Sequence, residues 1–490
     1  MPEKQGQFQR AITLFDAIMI VTGSMIGSGI FIVSADISRK VGSPGWLLVV
    51  WLVTGFITLA GAVSYGELAS MFPKVGGQYV YLREAYNKLV AFLYGWSLFL
   101  VIQTGVIAAV AVAFARFVGV LVPWFSEDHI LFSILGFKLN TVMLLAVLML
   151  VGLTWVNAQG VRGGKLISNI FGTTKLVALA LLIMFGLALG INQEALAVNF
   201  SDMWQAASFS PTGEAVPLSV WGLVGAIGLA MTGSLFSSDA WNNIGFSGDE
   251  IVRPERTIVL SMAIGTAIVT GLYLLINLVY LLVLPLKGSP DATDILGRGI
   301  MYTKGDLVAT AVAESILGRA GAYVMAVLIM ISTFGANNSI ILSGARAYYA
   351  MAKDGLFFPR MARLNKAGVP GVALWAQCLW ACGLCLTGSY GQLLNYVMFS
   401  VILFYVITII GIFILRRTRP DAPRPYKALG YPVIPLLYVI LASAFCVILL
   451  VSPETARDSG LGLLLVAVGV PVYFFFGKRF ASRPESKVKA

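Results

Sequence analysis

The sequence predicts an all-α polytopic membrane protein of about twelve transmembrane helices, the first and sixth of them discontinuous. Three observations carry this. Of the 490 residues, 58% are hydrophobic and only 12% charged, about half the charged share of a soluble chain, and the mean hydropathy is +0.86. The apolar residues gather into about twelve runs, most of them near the roughly 20 residues that a bilayer span requires. Two of those runs are broken mid-way by matching clusters of small residues. One is Thr22-Gly23-Ser24-Met25-Ile26-Gly27-Ser28-Gly29 and the other is Thr232-Gly233-Ser234-Leu235-Phe236-Ser237-Ser238-Asp239.

The first run, residues 14–38, holds the first cluster. Gly and Ser there let a helix unwind, and unwound backbone at membrane depth persists only inside protein or beside a watery cavity. The second to fifth runs, 45–71, 86–122, 139–157 and 164–190, are unbroken, and the third is long enough to lie tilted. The sixth, 217–246, holds the second cluster. The remaining runs are 257–285, 318–352 (again long), 371–388, 391–415, 432–451 and 460–476. The polar stretches 191–216 and 286–317 are too short for an inserted domain. Residues 1–10 lack an apolar core behind their charged start, so no cleaved signal peptide is expected.

Loop charge sets the orientation. With the N-terminus cytoplasmic, the inner loops and tails hold 24 Lys and Arg, among them Arg83, Arg346, Arg416 and Arg424, plus Lys4, Lys74, Arg162, Lys165, Lys478, Arg479, Arg483, Lys487 and Lys489. The outer loops hold 8, among them Arg39, Lys40 and Lys138. Both termini are therefore expected inside a plasma (inner) membrane. The net charge of +11 lies in these membrane-proximal loops, which excludes a nucleic-acid partner. Five spans separate the starts of the two broken ones, so they enter from opposite sides. That is a five-plus-five inverted repeat, with residues 1–190 and 191–416 as the halves and 417–490 as two added spans and a tail. A matched pair of interrupted spans, one per half, marks a transporter's binding site.

A free α-amino acid is a zwitterion, and a broken helix suits it. N–H groups at the start of a resumed half face the carboxylate, and carbonyls at the end of the preceding half accept from the ammonium. Ser28 and Gly29 would offer the N–H groups, and Met25 and Phe236 the carbonyls. The alternative for the first cluster is close helix packing through Gly23 and Gly27. Asp239 is a carboxylate at membrane depth, which is costly unless paired or hydrated. Either it faces the substrate's ammonium or a cationic side chain, beside Ser237 and Ser238, or it caps a helical half starting at Trp241. Both readings stand. Lys175, about three turns into the fifth span, either snorkels to the inner surface or is a fixed cation in place of bound sodium. A proton lost from it during the cycle would couple transport to protons.

Other charged and polar residues read as structural. Arg116 is expected to snorkel outward and Glu67 to pair with an inner loop. His129, the only histidine, stands in an outer loop without a partner for general-base work. Asn199-Phe200-Ser201 matches a glycosylation sequon. Cys378, Cys382 and Cys385 share a helical face and, with Cys446, read as buried thiols in preference to a soft-metal or redox site. No nucleotide-binding loop, zinc motif or hydrolase elbow is present, so neither an enzyme nor a cofactor is expected.

These residues resemble the amino acid–polyamine–organocation superfamily, and within it the L-type amino acid transporter group. The resemblance rests on Gly23 to Phe31, on Tyr65-Gly66-Glu67-Leu68 with Phe72 to Tyr79, on Thr174-Lys175-Leu176, on Phe236 to Asn242, and on Ser343-Gly344-Ala345-Arg346 running to Gly355. It implies a leucine-transporter-like fold and alternating access. It also implies that Ser28 and Gly29 hold the carboxylate, that carbonyls of Met25, Phe236 and Asp239 hold the amine, that Phe236 gates the outside, and that Asn242 flanks the pocket. Lys175 matches the family lysine that fills a sodium slot and bridges the first break to the eighth span, near Ser332 or Ser339. Many relatives have Gly-Gly-Trp where this chain has Asp239-Ala240-Trp241. Members with Asp there include handlers of dibasic substrates, so cationic or broad specificity stays open. The loop 123–138 lacks the cysteine by which animal relatives bind a heavy chain, so a stand-alone, bacterial-type protein is expected.

The substrate-binding set is thus Met25, Ser28, Gly29, Phe236, Ser237, Asp239 and Asn242, with Lys175 as the coupling residue. The expected function is sodium-independent amino acid transport, by exchange or proton symport. A polyamine or decarboxylated-amino-acid exchanger is the alternative, although such substrates lack the carboxylate that Ser28 and Gly29 would hold. A membrane amino acid sensor is the alternative of another class. It would carry a sizeable signalling tail, whereas 14 residues follow Phe476.

Overall fold

The structure, a computed structural model, describes residues 10, 12–73, 76–134, 137–387 and 390–480. Lys4, Lys74, Val75, Arg483, Lys487 and Lys489 lie outside the described residues, as do the side chains of Arg162, Lys165, Thr174, Lys478 and Arg479.

The first span is two helices. Leu14–Met25 opens on a reciprocal cap between Thr13 and Asp16 and ends at Ile26. A single turn, Gly29–Phe31, leads to Ser34–Val41. Gly42, at φ 69°, ends that helix in the left-handed region that glycine adopts without steric penalty. The second span, Pro44–Met71, starts on a proline whose missing N–H is no loss in a first turn. A short helix, Gln78–Ala85, precedes the third span, Lys88–Leu121. This span contains a wide π turn at Leu98–Ile102, and Thr104 donates to the Phe99 carbonyl there at 2.8 Å. The fourth span is Thr141–Ala158, capped by Asn140. The fifth, Val161–Leu189, turns through 97° into Gln193–Ser201.

The sixth span repeats the break of the first. Val220–Ser237 is capped by Ser219 and stops at Ser238. The chain resumes at Asn243–Glu250 as a tight three-residue-per-turn run. The seventh span is Pro254–Val283. The eighth lies in Val308–Lys353, which bends at Gly318 (φ 65°, ψ −161°). The last four are Gly371–Thr387, Tyr390–Thr418, Val433–Val451 and Ala456–Phe480. Two antiparallel hairpins, Ile130–Ile134 with Phe137–Asn140 and Ala207–Phe209 with Ala215–Pro217, fold between spans where the sequence predicts only loops.

The protein is therefore all-α and polytopic apart from these hairpins. Among the described residues, nine helices are long and apolar enough to cross a membrane, and ten if the bent pair after Lys175 is one span. The count falls short of twelve for a physical reason. The break leaves Leu14–Met25 only 12 residues long, and the ninth span has 17. The second span packs on the seventh, the third on the eighth and the fourth on the ninth. The fifth packs on the eighth, as the tenth packs on the third. The eleventh lies against the second and tenth, and the twelfth against the start of the third.

A pair of backbone hydrogen bonds joins the start of the chain to the end of the sixth span. The Ile12 N–H donates to Glu250, and the Val252 N–H to Ile12, each at 3.0 Å. The segment entering the first span is thus paired, in parallel, with the segment leaving the sixth. Two backbone hydrogen bonds flanked by apolar side chains are expected to hold through ligand binding. Spin labels at the exposed Phe15 and Val252 should keep one separation with and without substrate, and a second distance population on adding substrate would refute this.

Candidate functional site

The two breaks meet at the centre of the helical bundle. A Cβ on Gly29 would lie 2.1 Å from Ser237 Oγ and 3.1 Å from Ser237 Cα. A Cβ on Gly233 would lie 2.8 Å from Val33 Cβ. The small residues of one cluster therefore admit the backbone of the other. Ser237 Oγ donates back to the Gly233 carbonyl at 2.8 Å, and Ser234 shares a 2.6 Å hydrogen bond with Thr54 of the second span. Close packing and an open backbone, the two sequence readings of these clusters, occur together. In the first break the Ser28 carbonyl accepts from Phe31, and the Gly29 carbonyl from Ile32 and Val33. Among the described residues, the N–H groups of Gly27, Gly29 and Ile30 donate to no backbone carbonyl.

Sequence reasoning missed what holds the breaks together. Tyr273, on the seventh span, shares its one hydroxyl proton between the Met25 carbonyl at 3.1 Å and the Ser237 carbonyl at 3.0 Å. One phenol thus touches the end of each unwound helix. One turn on, Asn277 accepts from Ser34 at 2.6 Å, and after another turn Tyr280 donates to the Ile30 carbonyl at 3.2 Å. Tyr273, Asn277 and Tyr280 fall at i, i+4 and i+7 on one buried face. That polar stripe inside an apolar run was the available signal.

Asp239 and Asn242 lie beyond the second break and line a small cavity, with Gln78, Tyr94, Gln103 and Tyr405. Tyr405 donates to Asp239 Oδ1 at 2.7 Å and approaches Asn242 Oδ1 at 3.2 Å. Asn242 Nδ2 faces Gln78 and Tyr65 at 3.3 and 3.4 Å, and Gln78 donates to Thr408 at 2.9 Å. The rings of Tyr65, Trp241 and Tyr405 meet one another within 5.1 to 6.3 Å. The helix-cap reading of Asp239 is overturned. The chain resumes at Asn243, not Trp241, and that run has no side-chain cap. A carboxylate four positions ahead is too far back to serve it, because a capping oxygen reaches the N–H two or three residues on. Of the candidate set, Met25, Ser28, Gly29, Phe236 and Ser237 sit buried at the meeting of the breaks, while Asp239 and Asn242 face the cavity.

Ala240 stands between them at φ 68°, the left-handed region that an alanine occupies only at a penalty of about 1–2 kcal/mol. Ala240→Gly is expected to raise the melting temperature of the purified protein, by an amount equivalent to about 1 kcal/mol. A lowered melting temperature would show that the methyl group packs more usefully than its backbone is strained.

Lys175 is buried at 2% exposure, which rules out the snorkelling alternative. Its Nζ donates to the Gly23 carbonyl at 2.6 Å, so the lysine reaches the first cluster as expected. Among the described residues Ser332 Oγ is buried without a partner, and Ser339 donates to the Gly335 carbonyl at 3.1 Å.

The remaining charged residues are structural. Glu67 is fully buried. It takes two hydrogen bonds from Arg416, at 2.7 and 3.0 Å, and one from the Ala428 N–H at 2.7 Å. Arg424 lies 3.3 Å away. Arg116 pairs with Glu127 at 2.6 Å. Asn199 uses its whole amide on the carbonyls of Leu281 and Leu284 and the N–H of Leu286, so the sequon is a structural knot and no acceptor for sugar. Cys378 and Cys382 stand 4.0 Å apart, sulfur to sulfur, inside the ninth span.

Comparison with known proteins completes the description. The amino acid permease family matches residues 12–472. The chain is similar to "Large neutral amino acids transporter small subunit 2" of Homo sapiens, with 32% identity over 95% of this chain and 80% of that protein. It is similar to "b(0,+)-type amino acid transporter 1" of Mus musculus, with 28% identity over 96% and 89%. It is also similar to "Asc-type amino acid transporter 1" of Mus musculus, with 30% identity over 97% and 83%.

Proposed function

Because this chain belongs to the amino acid permease family and is an amino acid transporter rather than an enzyme, we propose that it moves its substrate without sodium, at the meeting of the two broken spans. The carrying observation is the contact of Gly29 with Ser237, flanked by N–H groups without backbone acceptors. The carboxylate is received at Ser28 and Gly29, beside the N–H groups of Gly27, Gly29 and Ile30. The carbonyls of Met25, Phe236 and Asp239 receive the ammonium. The Met25 carbonyl accepts from Tyr273, and a carbonyl has a second lone pair to offer. The substrate side chain extends toward the cavity lined by Asp239 and Asn242. A carboxylate there favours polar or cationic side chains without excluding neutral ones.

Lys175 takes the place of sodium by holding the Gly23 carbonyl with its own charge. Phe236, buried over the break, gates the outside. The halves are residues 1–190 and 191–416, with 417–490 added. The reciprocal packing of second with seventh, third with eighth and fourth with ninth spans supports that division. Both termini lie in the cytoplasm of a plasma-membrane protein, on the charge bias of the loops. A C-terminal reporter active only outside the cell would reverse this orientation. The chain works without a disulfide-linked partner, because all four cysteines lie in apolar spans.

The purified chain in liposomes is expected to take up a labelled amino acid with no sodium present. Dependence on internal substrate would mark exchange, and dependence on an inward proton gradient would mark symport. No uptake of any of the twenty amino acids under either condition refutes the proposal. Lys175→Ala is expected to slow flux at least about ten-fold, ~1.4 kcal/mol in the barrier, with little change in melting temperature. Wild-type flux in that variant would remove the lysine from the cycle.

A further inference from the structure

The second and seventh spans touch closely at one level and part at another. A Cβ on Gly55 would lie 2.2 Å from Thr270 Cγ2, so the helices are in contact there. Toward the start of the second span they separate and leave an open groove. Leu48 and Leu52 form one wall, Gly271, Leu275 and Leu278 the other, and Trp204 its end. The groove has no side-chain hydroxyl, amide or charge in its lining. Gly271 looks into open space, since a Cβ there meets nothing within 4 Å. Leu52 and Leu275 are 58% and 37% exposed.

The end of the groove is built rather than incidental. Gly45 lets the loop press against the second span, with the Trp204 ring 2.7 Å from where a Cβ would stand. Trp46 donates its indole N–H to the Trp204 carbonyl at 3.0 Å, and the two rings meet edge to face at 5.3 Å. Paired tryptophans at a span's first turn sit at the level where a bilayer passes from hydrocarbon to water. The walls belong to spans of mean hydropathy 2.2 and 2.1, so only the hydrocarbon of the membrane reaches them. Apart from the Trp204 indole N–H at its end, the lining places no strong side-chain donor or acceptor for a sterol hydroxyl.

We propose that this groove is a binding site for one acyl chain of a membrane phospholipid, with its headgroup beside Trp204. The site adjoins the clasp on the two breaks. Gly271, Leu274 and Leu278 alternate along the seventh span with Tyr273 and Asn277, and Trp51, next to Leu52, packs edge-on against the Tyr273 ring at 5.4 Å. A chain in the groove therefore supports the seventh span from the side opposite its hydrogen bonds.

The purified protein in detergent is labelled with a phosphatidylcholine carrying a photoreactive group in its acyl tail, and the labelled peptides are mapped. Wild type is expected to be labelled at 45–52 and 271–278, and to melt at a temperature that rises with added phosphatidylcholine, as ligand binding to the folded state requires. Gly271→Leu fills the space that Gly271 leaves and replaces a poor helix former with a good one. It is expected to fold, to lose that labelling and to melt independently of lipid. Leu275→Trp is a second filling variant with the same expected result. Undiminished labelling in both variants overturns the proposal. Labelling by a photoreactive sterol but not by phosphatidylcholine overturns the choice of occupant.

Discussion

Gly29→Ala is expected to reduce amino acid flux at least about 100-fold, which is ~2.7 kcal/mol in the transport barrier. The added methyl group has nowhere to go. Ser237 Oγ would be 2.1 Å away and Ser237 Cβ 2.9 Å, well inside any real contact. Ser237 cannot simply turn aside. Its hydroxyl is tied to Gly233 and its carbonyl to Tyr273. The breaks must separate, and the N–H groups of Gly29 and Ile30 leave the positions proposed for the carboxylate. Adding Ser237→Gly removes the two nearest atoms and leaves Ser237 Cα at 3.1 Å, so the double variant should recover at least about ten-fold of the lost flux. Counterflow in liposomes reads both effects, and a melting curve shows that the protein is folded. Wild-type flux in Gly29→Ala would mean that the two breaks do not stay joined when substrate passes.

The largest stability effect is expected at Glu67. Glu67→Ala should destabilise the protein by about 3–5 kcal/mol, the loss typical when one partner of a buried ion pair is removed. The carboxylate is fully buried, whereas Arg424 and Arg416 are 8% and 23% exposed. Its removal leaves the charges of both guanidinium groups without their carboxylate and the Ala428 N–H without its acceptor, although Arg424 keeps its bonds to backbone carbonyls. Arg416 is also stacked on Tyr431, 3.6 Å from the ring centroid, so it cannot swing out to water without giving up that contact. Glu67→Gln keeps an acceptor and should fall between wild type and the alanine variant. Thermal unfolding in detergent, followed by size exclusion, measures the series. An alanine variant within a degree of wild type would show that water enters and solvates both arginines.

Much of this was legible in the sequence. Gly and Ser in the middle of an apolar run mark a break because no other residue types leave the backbone so free, and both breaks fall where they were expected. Lys175 and Glu67 stood out because a charge in an apolar run must find a partner, and each did. Tyr273 carried no charge to mark it, only its place in the polar stripe with Asn277 and Tyr280, and its role depends on carbonyls 36 and 248 positions away. Gln78 escaped for a related reason. It lies in a loop helix, and only the fold brings it beside Asn242. The cap proposed for Asp239 failed because it assumed that the sixth span resumes as a regular helix. Asn243 to Glu250 contains Gly245, Ser247 and Gly248, residues of poor helix propensity, and the chain winds there as a tighter run.

The pairing of Ile12 with the segment after Glu250 has a mechanical meaning. Leu14–Met25 and Asn243–Glu250 are each joined to the rest of their span through unwound chain, so either could swing alone. Stitched together near their far ends, they form a single lever with two pivots, one at Gly27 and Ser28 and the other at Ala240. Such a lever has one stroke. Access from that side is then expected to open or close for both halves of the proposed site at once, releasing the ends of the substrate together.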